Sequence, residues 1–371
     1  MDFSLNEFQS MLSDSVDKFV GNEYSFEKRQ ENAASDLCYG MDTWQTFCEL
    51  GWTALPFAEE DGGLGGGPIE TMLLMQQFGR GLVVEPYLAN IVLAGGLLRR
   101  LADATQKEHR LLPLIEGQMQ AAVAVAEPQN RYDFSDVETT ASRDGDDWVL
   151  NGKKSVVLNG GNADFLIIPA DSGGLSLFMV AADKPGLVIQ KYRTVDGSSA
   201  ADVTLNDVRV GQDAILGEAG KATAALQAVI DEAILAISAE AVGIMQALTD
   251  KTVEYCKNRV QFGVPIGSFQ ALQHRMVDML TASEQSYSLL LWATMANADD
   301  TEEAKQAIHA IKYQIGTAGK LVGQEAVQLH GGMGMSWEFD VGHYFKRLTV
   351  IAQILGNTDW HLDRLAESRD S

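Results

Sequence analysis

The spacing of apolar residues changes period twice along this chain, and those two changes restrict the folds open to it. Up to about residue 115, apolar side chains recur at helical spacing, as in Phe8, Met11, Leu12, Val16 and Phe19 and again in Met72, Leu73, Met75 and Phe78, which predicts amphipathic helices. Near residue 120 the pattern becomes strand-like. AAVAVAEP, DWVLNG, SVVLNGG, DFLIIPA, LSLFMVA, GLVIQKY and ADVTLNDVRV are short β-rich runs separated by turn residues, the signature of a small antiparallel barrel or sandwich. The helical period then returns, with long segments at roughly 220–256, 266–298, 302–329 and 339–367. The expectation is an α-helical N-terminal domain over 1–117, a central β domain over 118–215 and a C-terminal helical bundle over 216–371.

Composition narrows the possible partners. The formal net charge of −23 repels phosphate backbones, so neither nucleic acid nor an anionic membrane is an expected partner. In such a field a phosphate-bearing ligand needs local positive charge, which makes each well-placed arginine informative. No run approaches the roughly 18 apolar residues of a membrane helix, and the first residues lack the order of a signal peptide. The 3 cysteines are odd in number and show no CxxC spacing, so a cytoplasmic protein without disulfides or a metal site is expected. In GWTALPFAEEDGGLGGGPIE, Pro56 and the glycines predict a long loop. GGLGGG reads there as a turn, because a dinucleotide fingerprint needs a strand before it and a helix after it.

Four separated segments carry a more specific signal. They are the glycine-rich loop above; the β-region series AEP (126–128), WVLNGKKSVVLNGGNAD (148–164) and LNDVRV (205–210); RVQFGVPIGSFQALQHRMVDM (259–279); and QLHGGMGM (328–335). In order and spacing they resemble the acyl-CoA dehydrogenase family across nearly the whole chain. The resemblance implies a helical domain, a β domain and a C-terminal four-helix bundle, assembled as dimers or tetramers with FAD at subunit boundaries. The implied reaction removes two hydrogens from the α and β carbons of an acyl-CoA thioester, a carboxylate taking the α proton and the flavin accepting hydride. The implied electron acceptor is an electron-transferring flavoprotein.

In the family, the RxQFG segment and the glycine turn reach across the subunit interface to FAD seated mainly in the neighbour. Arg259, Gln261, Phe262, Gln328, Gly331 and Gly332 are the residues carried over. A guanidinium offers a planar fork to pyrophosphate, an aromatic ring can lie against the cofactor, and glycines allow close backbone approach. His330 has no necessary role in this scheme. In the β domain Ala126, Tyr132, Val156 and Leu158 replace the family's flavin-facing Thr, Ser, Trp and Thr. Glu127, Pro128, Asp133, Thr139, Asn151, Gly152, Lys154 and Asn159 keep their places. The two usual positions of the catalytic base fall on Leu355 and Ala233, neither an acid. Glu232 is about 100° around the helix from Ala233, whereas Glu240 lies two turns on along approximately the same face. Glu240 is thus the candidate shifted base, its alternative role being a buried or interfacial hydrogen bond.

The pattern of losses leads to the expectation of a smaller, partner-dependent subunit, in a heterotetramer with a second acyl-CoA dehydrogenase-like chain and acting on a bulky steroid side-chain, ring or dicarboxylic acyl-CoA. The competing readings are a fully active homo-oligomeric dehydrogenase, a relative that passes electrons to oxygen, and a non-enzymatic acyl-CoA-binding scaffold on the same fold.

Overall fold

A computed structural model of the chain describes residues 5–370; residues 1–4, which open the expected N-terminal domain, and Ser371 lie outside the described residues. The chain divides into two compact units, one of Met1–Gln30, Gly67–Val83 and Ile234–Ser371 and the other of Glu31–Gly66 and Val84–Ala233. Among the described residues no helix is long and apolar enough to cross a membrane.

The N-terminal helices are α1 (Glu7–Asn22), α2 (Phe26–Ala34), α3 (Met41–Glu49) and α4 (Pro68–Gly81). Asn6 starts α1 with a capping box, its side chain accepting the Gln9 amide at 2.8 Å while the Gln9 side chain accepts the Asn6 amide at 3.0 Å. The glycine-rich loop before α4 is a folded turn. Gly62 and Gly65 are left-handed, at φ 82° and 68°, and a Cβ on Gly63 would lie 2.0 Å from the Phe57 carbonyl oxygen. A buried π-helical stretch, Leu88–Gly95, leads into the short helices α5 (Gly96–Leu101), α6 (Ala104–Gln106) and α7 (Leu112–Ile115).

The central sheet consists of β1 (Ala121–Val123), β2 (Thr140–Asp144), β3 (Asp147–Leu158), β4 (Phe165–Asp171), β5 (Leu175–Ala181), β6 (Leu187–Arg193), β7 (Ser199–Val210) and β8 (Ile215–Leu216). Its order is β6-β7-β3-β2-β4-β5-β8, with β1 added on β4. Most ladders are antiparallel, as expected; β1 and β2 each pair with β4 in parallel. Two runs read as separate strands, DWVLNG and SVVLNGG, are one strand, β3, whose register against β7 slips twice. Polar TASRD forms β2, with only Ala141 buried, so no apolar alternation marked it. Trp148, Leu150, Leu166, Ile168, Phe178 and Val203 build the core of this layer.

The C-terminal region contains α8 (Thr223–Asn258), a small ribbon of β9 (Val260–Gln261) and β10 (Val264–Pro265), then α9 (Gln270–Ala298), α10 (Ala304–His330), α11 (Val341–Ile351) and α12 (Thr358–Asp370). The last expected helix, 339–367, is thus two helices. Leu355 at φ 57° and Gly356 at φ 115° break it in left-handed backbone, which an α-helix of L-residues does not accommodate. α4 meets α8 through glycines on both sides: a Cβ at Gly79 would lie 2.0 Å from the Glu240 carbonyl oxygen, and one at Gly243 1.9 Å from that of Gln76. Neither neighbour is a flexible side-chain tip, so the helices themselves would have to separate. Gly243→Ala should therefore lower stability by about 1–3 kcal/mol, read as a fall in thermal midpoint; an unchanged midpoint would mean that the crossing tolerates a wider spacing.

Candidate functional site

Two helix ends build the site. Arg259 follows the last turn of α8, where the chain reverses through the β9–β10 ribbon, and the Ile266 amide closes the reversal on the Arg259 carbonyl at 2.8 Å. The tight turn uses left-handed backbone at Phe262 (φ 55°) and Gly263 (φ 82°), and it leaves the Phe262 ring 92% exposed. α10 ends at His330, followed by Gly331 at φ 61°. One turn before Arg259, Tyr255 stacks on His330 with ring centroids 4.3 Å apart. Its hydroxyl donates to the His330 carbonyl at 3.4 Å. This stack brings Arg259, Gln261 and Phe262 to the same end of the bundle as Gln328, Gly331 and Gly332. His330 itself is buried, with its Nδ1 2.8 Å from the Ala326 carbonyl, and burial lowers its pKa. It is a packed, neutral ring that joins two helix ends.

All six carried-over residues are exposed. Arg259 has no ion-pair partner among the described residues, while the Gln261 side chain donates to the Val260 carbonyl at 2.7 Å. A Cβ at Gly263, Gly331 or Gly332 would meet open space, so bare backbone faces outward beside a free guanidinium. That combination fits the phosphate-bearing part of a dinucleotide such as FAD, which needs positive charge and close backbone approach.

The β domain differs. At the Val156 position β3 bulges, with φ 50° at Val156 and 56° at Asn159. The Val156 amide donates to Asp202 Oδ1 at 3.1 Å, and the Tyr192 hydroxyl donates to the same oxygen at 3.1 Å. A β-branched residue in this backbone region is unusual and strained. Its side chain is 51% exposed. At the positions of the expected Trp and the two Thr, Val156, Leu158 and Ala126 offer neither an aromatic ring nor a side-chain hydrogen bond and do not fit the ring end of a flavin, whereas Tyr132 keeps a hydroxyl at the Ser position.

Of the residues that kept their places, Glu127, Thr139, Asn151, Gly152, Lys154 and Asn159 are framework. Lys154 and Glu127 form an ion pair at 2.5 Å with side chains 0% and 1% exposed. Glu127 also accepts the amides of Glu138 (2.8 Å) and Thr139 (3.2 Å) and the Gln129 side chain (2.8 Å). Burial pushes its pKa up, but Lys154 and these donors outweigh that and hold it at about 2. A Cβ on Gly152 would lie 2.4 Å from Thr139 Oγ1. Asn151 binds Asp207 reciprocally, at 3.0 and 2.8 Å, and the Asn159 side chain donates to Gln120 Oε1 at 3.3 Å. No motif distinguished these framework roles from ligand contacts.

The carboxylates near the expected base positions are engaged. Ala233 is 0% and Leu355 6% exposed. Glu232 accepts from Arg99 at 2.6 and 2.8 Å and from Arg100 at 2.5 Å. Glu240, singled out as a shifted base, is buried with both oxygens on Arg347, at 2.5 Å to Nε and 2.8 Å to Nη2. This is the hydrogen-bonded role that stood as its alternative. Among the described residues no group of three or more His, Cys, Asp or Glu could hold a metal ion.

Three family models match in chain order: the acyl-CoA dehydrogenase N-terminal domain over residues 6–118, the middle domain over 122–208 and the C-terminal domain over 222–369. The chain belongs to the acyl-CoA dehydrogenase family. Probable acyl-CoA dehydrogenase YngJ of Bacillus subtilis is 31% identical over 353 residues, covering 92% of each chain. Among solved structures, PigA with FAD and proline superposes with a TM-score of 0.93 at 25% identity, covering 100% of this chain and 99% of that one. The ChsE4-ChsE5 complex from Mycobacterium tuberculosis gives 0.92 at 25% identity over 100% and 99%. The Tcur3481-Tcur3483 steroid ACAD variant gives 0.90 at 27% over 99% of each chain. Similarity to this acyl-CoA dehydrogenase family thus extends over the whole fold.

Two outcomes follow from the β domain. Glu127→Gln leaves the Lys154 ammonium buried without its counter-charge and should cost about 3–5 kcal/mol in denaturant unfolding. In the unaltered chain, a folded-state pKa of about 2 against the ordinary 4.5 means that this stabilisation is complete above pH 4.5 and is lost as pH falls from there towards 2. An acid-unfolding profile insensitive to Glu127→Gln would contradict the assignment. Val156→Gly should instead stabilise, by about 0.5–1 kcal/mol, because relief of left-handed strain exceeds the entropy that glycine adds to the unfolded chain; a lower thermal midpoint would show that the bulge is not strained.

Proposed function

We propose that this chain is the smaller, partner-dependent subunit of a heteromeric FAD-dependent acyl-CoA dehydrogenase that introduces an α,β double bond into an acyl-CoA thioester. The observation that carries this reading is the asymmetry between the two half-sites. The outward half, with a free Arg259, an exposed Phe262 and bare glycine backbone, is complete. The half that would seat a flavin ring on this chain's own β domain presents Val156 and Leu158. In this reading Arg259 binds pyrophosphate oxygens, Phe262 lies against the cofactor, and Gln328 with Gly331 and Gly332 lines its path, all for a flavin seated on the partner. Bound FAD supplies the acceptor for the substrate's hydride. The proton-abstracting carboxylate comes from the partner, since Glu240 would first have to leave Arg347 and expose a buried guanidinium.

Exposed Val260 and Val264 of the ribbon and Phe269, whose ring centroid lies 6.3 Å from that of Phe262, are apolar surface of the kind that marks a subunit contact. The occupant we infer is the second acyl-CoA dehydrogenase-like subunit, in a cytoplasmic heterotetramer. The heteromeric reading agrees with the ChsE4-ChsE5 complex, and a bulky substrate, whether steroid side-chain, ring or dicarboxylic acyl-CoA, agrees with the steroid enzyme among the similar structures. An electron-transferring flavoprotein is the acceptor that the family suggests.

Flavin absorbance against protein mass tests the proposal. The chain purified alone should hold little FAD, and its complex with the partner one FAD per two chains. Arg259→Ala should weaken FAD retention by about 1.5–3 kcal/mol in the complex, whereas Val156→Trp with Leu158→Thr should raise the flavin content. One FAD per chain, with dehydrogenation by this subunit alone that Glu240→Gln abolishes, would establish the homo-oligomeric alternative instead.

A further inference from the structure

In the N-terminal half of α10 a cluster of nitrogen bases lies inside the bundle. Lys312 is 1% exposed, and its amine donates to the carbonyls of Ile351 at 2.8 Å and Gly356 at 2.9 Å. His361 on α12 is 0% exposed, with Nε2 3.0 Å from the Leu355 carbonyl and Nδ1 3.0 Å from Nδ1 of His309 on α10. A carbonyl only accepts, so His361 carries its proton on Nε2, accepts at Nδ1, and is met there by an N–H of His309. Three carbonyls of a single turn are thereby held from two helices. The same turn contributes Ala352, Gln353 and Asn357 to a cavity of about 540 Å³ whose other walls include Gly316 and Lys320 of α10 and Phe345 of α11.

Burial without a carboxylate partner disfavours the protonated forms of these bases. A neutral amine has two N–H bonds, and both are used; a third proton brings a charge that no carboxylate balances. Burial alone lowers the Lys312 pKa to about 7 from 10.5. Burial, then Arg364 and Lys305, lowers His309 to about 4 from 6.5. Burial also lowers His361, to about 3, with the Leu355 hydrogen bond opposing and Lys312 and His309 adding. The charged and titratable groups around the cluster and the cavity beside it include Lys305, His309, Lys312 and Lys320 from α10 and Asp359, His361 and Arg364 from α12. Arg364 is itself paired with Glu367 at 2.8 Å, and α11 contributes the Ile351 carbonyl.

We propose that Lys312, His361 and His309 form a proton-operated clasp, which holds the turn over residues 351–357 shut as a wall of the cavity while the three bases are neutral and releases it to water when they are protonated. The closed-state pKa values lie below those of the exposed groups, so the open form binds more protons and opening grows as pH falls. Lys312 drives this between about pH 10.5 and 7, and the histidines add to it from about 6.5 down to 4. The clasp involves none of the FAD-facing residues at the ends of α8 and α10, and the usual base position that lies in its turn, Leu355, bears no acid, so its test does not depend on the proposed flavin chemistry.

Native-state amide exchange on the full chain, corrected for the intrinsic pH dependence of exchange, reads the opening directly. Protection of amides 352–354, which donate to the carbonyls of Leu348 and Val350, should fall about tenfold per unit from pH 9 to pH 7, one proton being taken up per opening, while β4 amides should not follow this slope. Lys312→Met should open the turn further and remove the pH dependence over that range. His361→Gln should leave that slope and reduce the one below pH 6.5. Protection that is independent of pH in the unaltered chain overturns the proposal whether or not the variants fold, and so does a slope between pH 9 and 7 that survives in Lys312→Met.

Discussion

A carboxylate taken out of water has to find positive charge or several donors, and this constraint fixes joints in both compact units of the chain. Glu85 is satisfied by the Asn32 side chain at 2.9 Å and the Gly40 amide at 3.1 Å. Glu127 joins the start of a loop to β3 through Lys154. Glu232 ties α8 to Arg99 and Arg100 of α5, and Glu240 ties α8 to Arg347 of α11. Buried Glu127 and Glu240 and half-buried Glu232 are thus joints between elements, with both oxygens of each committed. The consequence for function is direct, because a general base needs an oxygen free to face its substrate. Glu127, Glu232 and Glu240 have none.

The helix–strand–helix order was legible because hydrophobic period reports burial on one face, and both long helices and buried strands follow it. It failed where burial did not govern. The polar β2 has one buried residue, so alternation could not reveal it. The break between α11 and α12 depends on left-handed backbone at Leu355, and leucine gives no sign of that conformation. The site was legible in part. Arg259, Phe262 and the glycines were found by motif, but their convergence depends on Tyr255 stacking on His330, a contact between residues that no local pattern links. His330 was legible as a core or interface histidine rather than a catalytic one, but not as the ring that joins two helix ends.

Framework and ligand contact separate cleanly in the β domain. The Glu127–Lys154 pair, the Asn151–Asp207 pair and the close approach of Gly152 to Thr139 fix the bulged path of β3 without using the side chains of Val156 and Leu158. Asp202 holds the bulge itself through the backbone amide of residue 156. Because this anchor binds the amide, the side chain at 156 can be aromatic or aliphatic without changing the strand. That independence is how the chain can retain the family fold while presenting valine and leucine where flavin-facing groups are expected.

The same separation explains the turn at Leu355. A left-handed conformation costs an L-residue roughly 1–2 kcal/mol, so leucine would not adopt it unaided. The turn persists because Lys312 and His361 bind the carbonyls of residues 351, 355 and 356, and a carbonyl is the same acceptor whatever side chain its residue bears. Replacing an acid by leucine at this position therefore removes a chemical group without removing the geometry that would present it. Loss of the base and preservation of the backbone around it are compatible for this physical reason, and family resemblance around the turn carries no information about whether the chain can take a proton there.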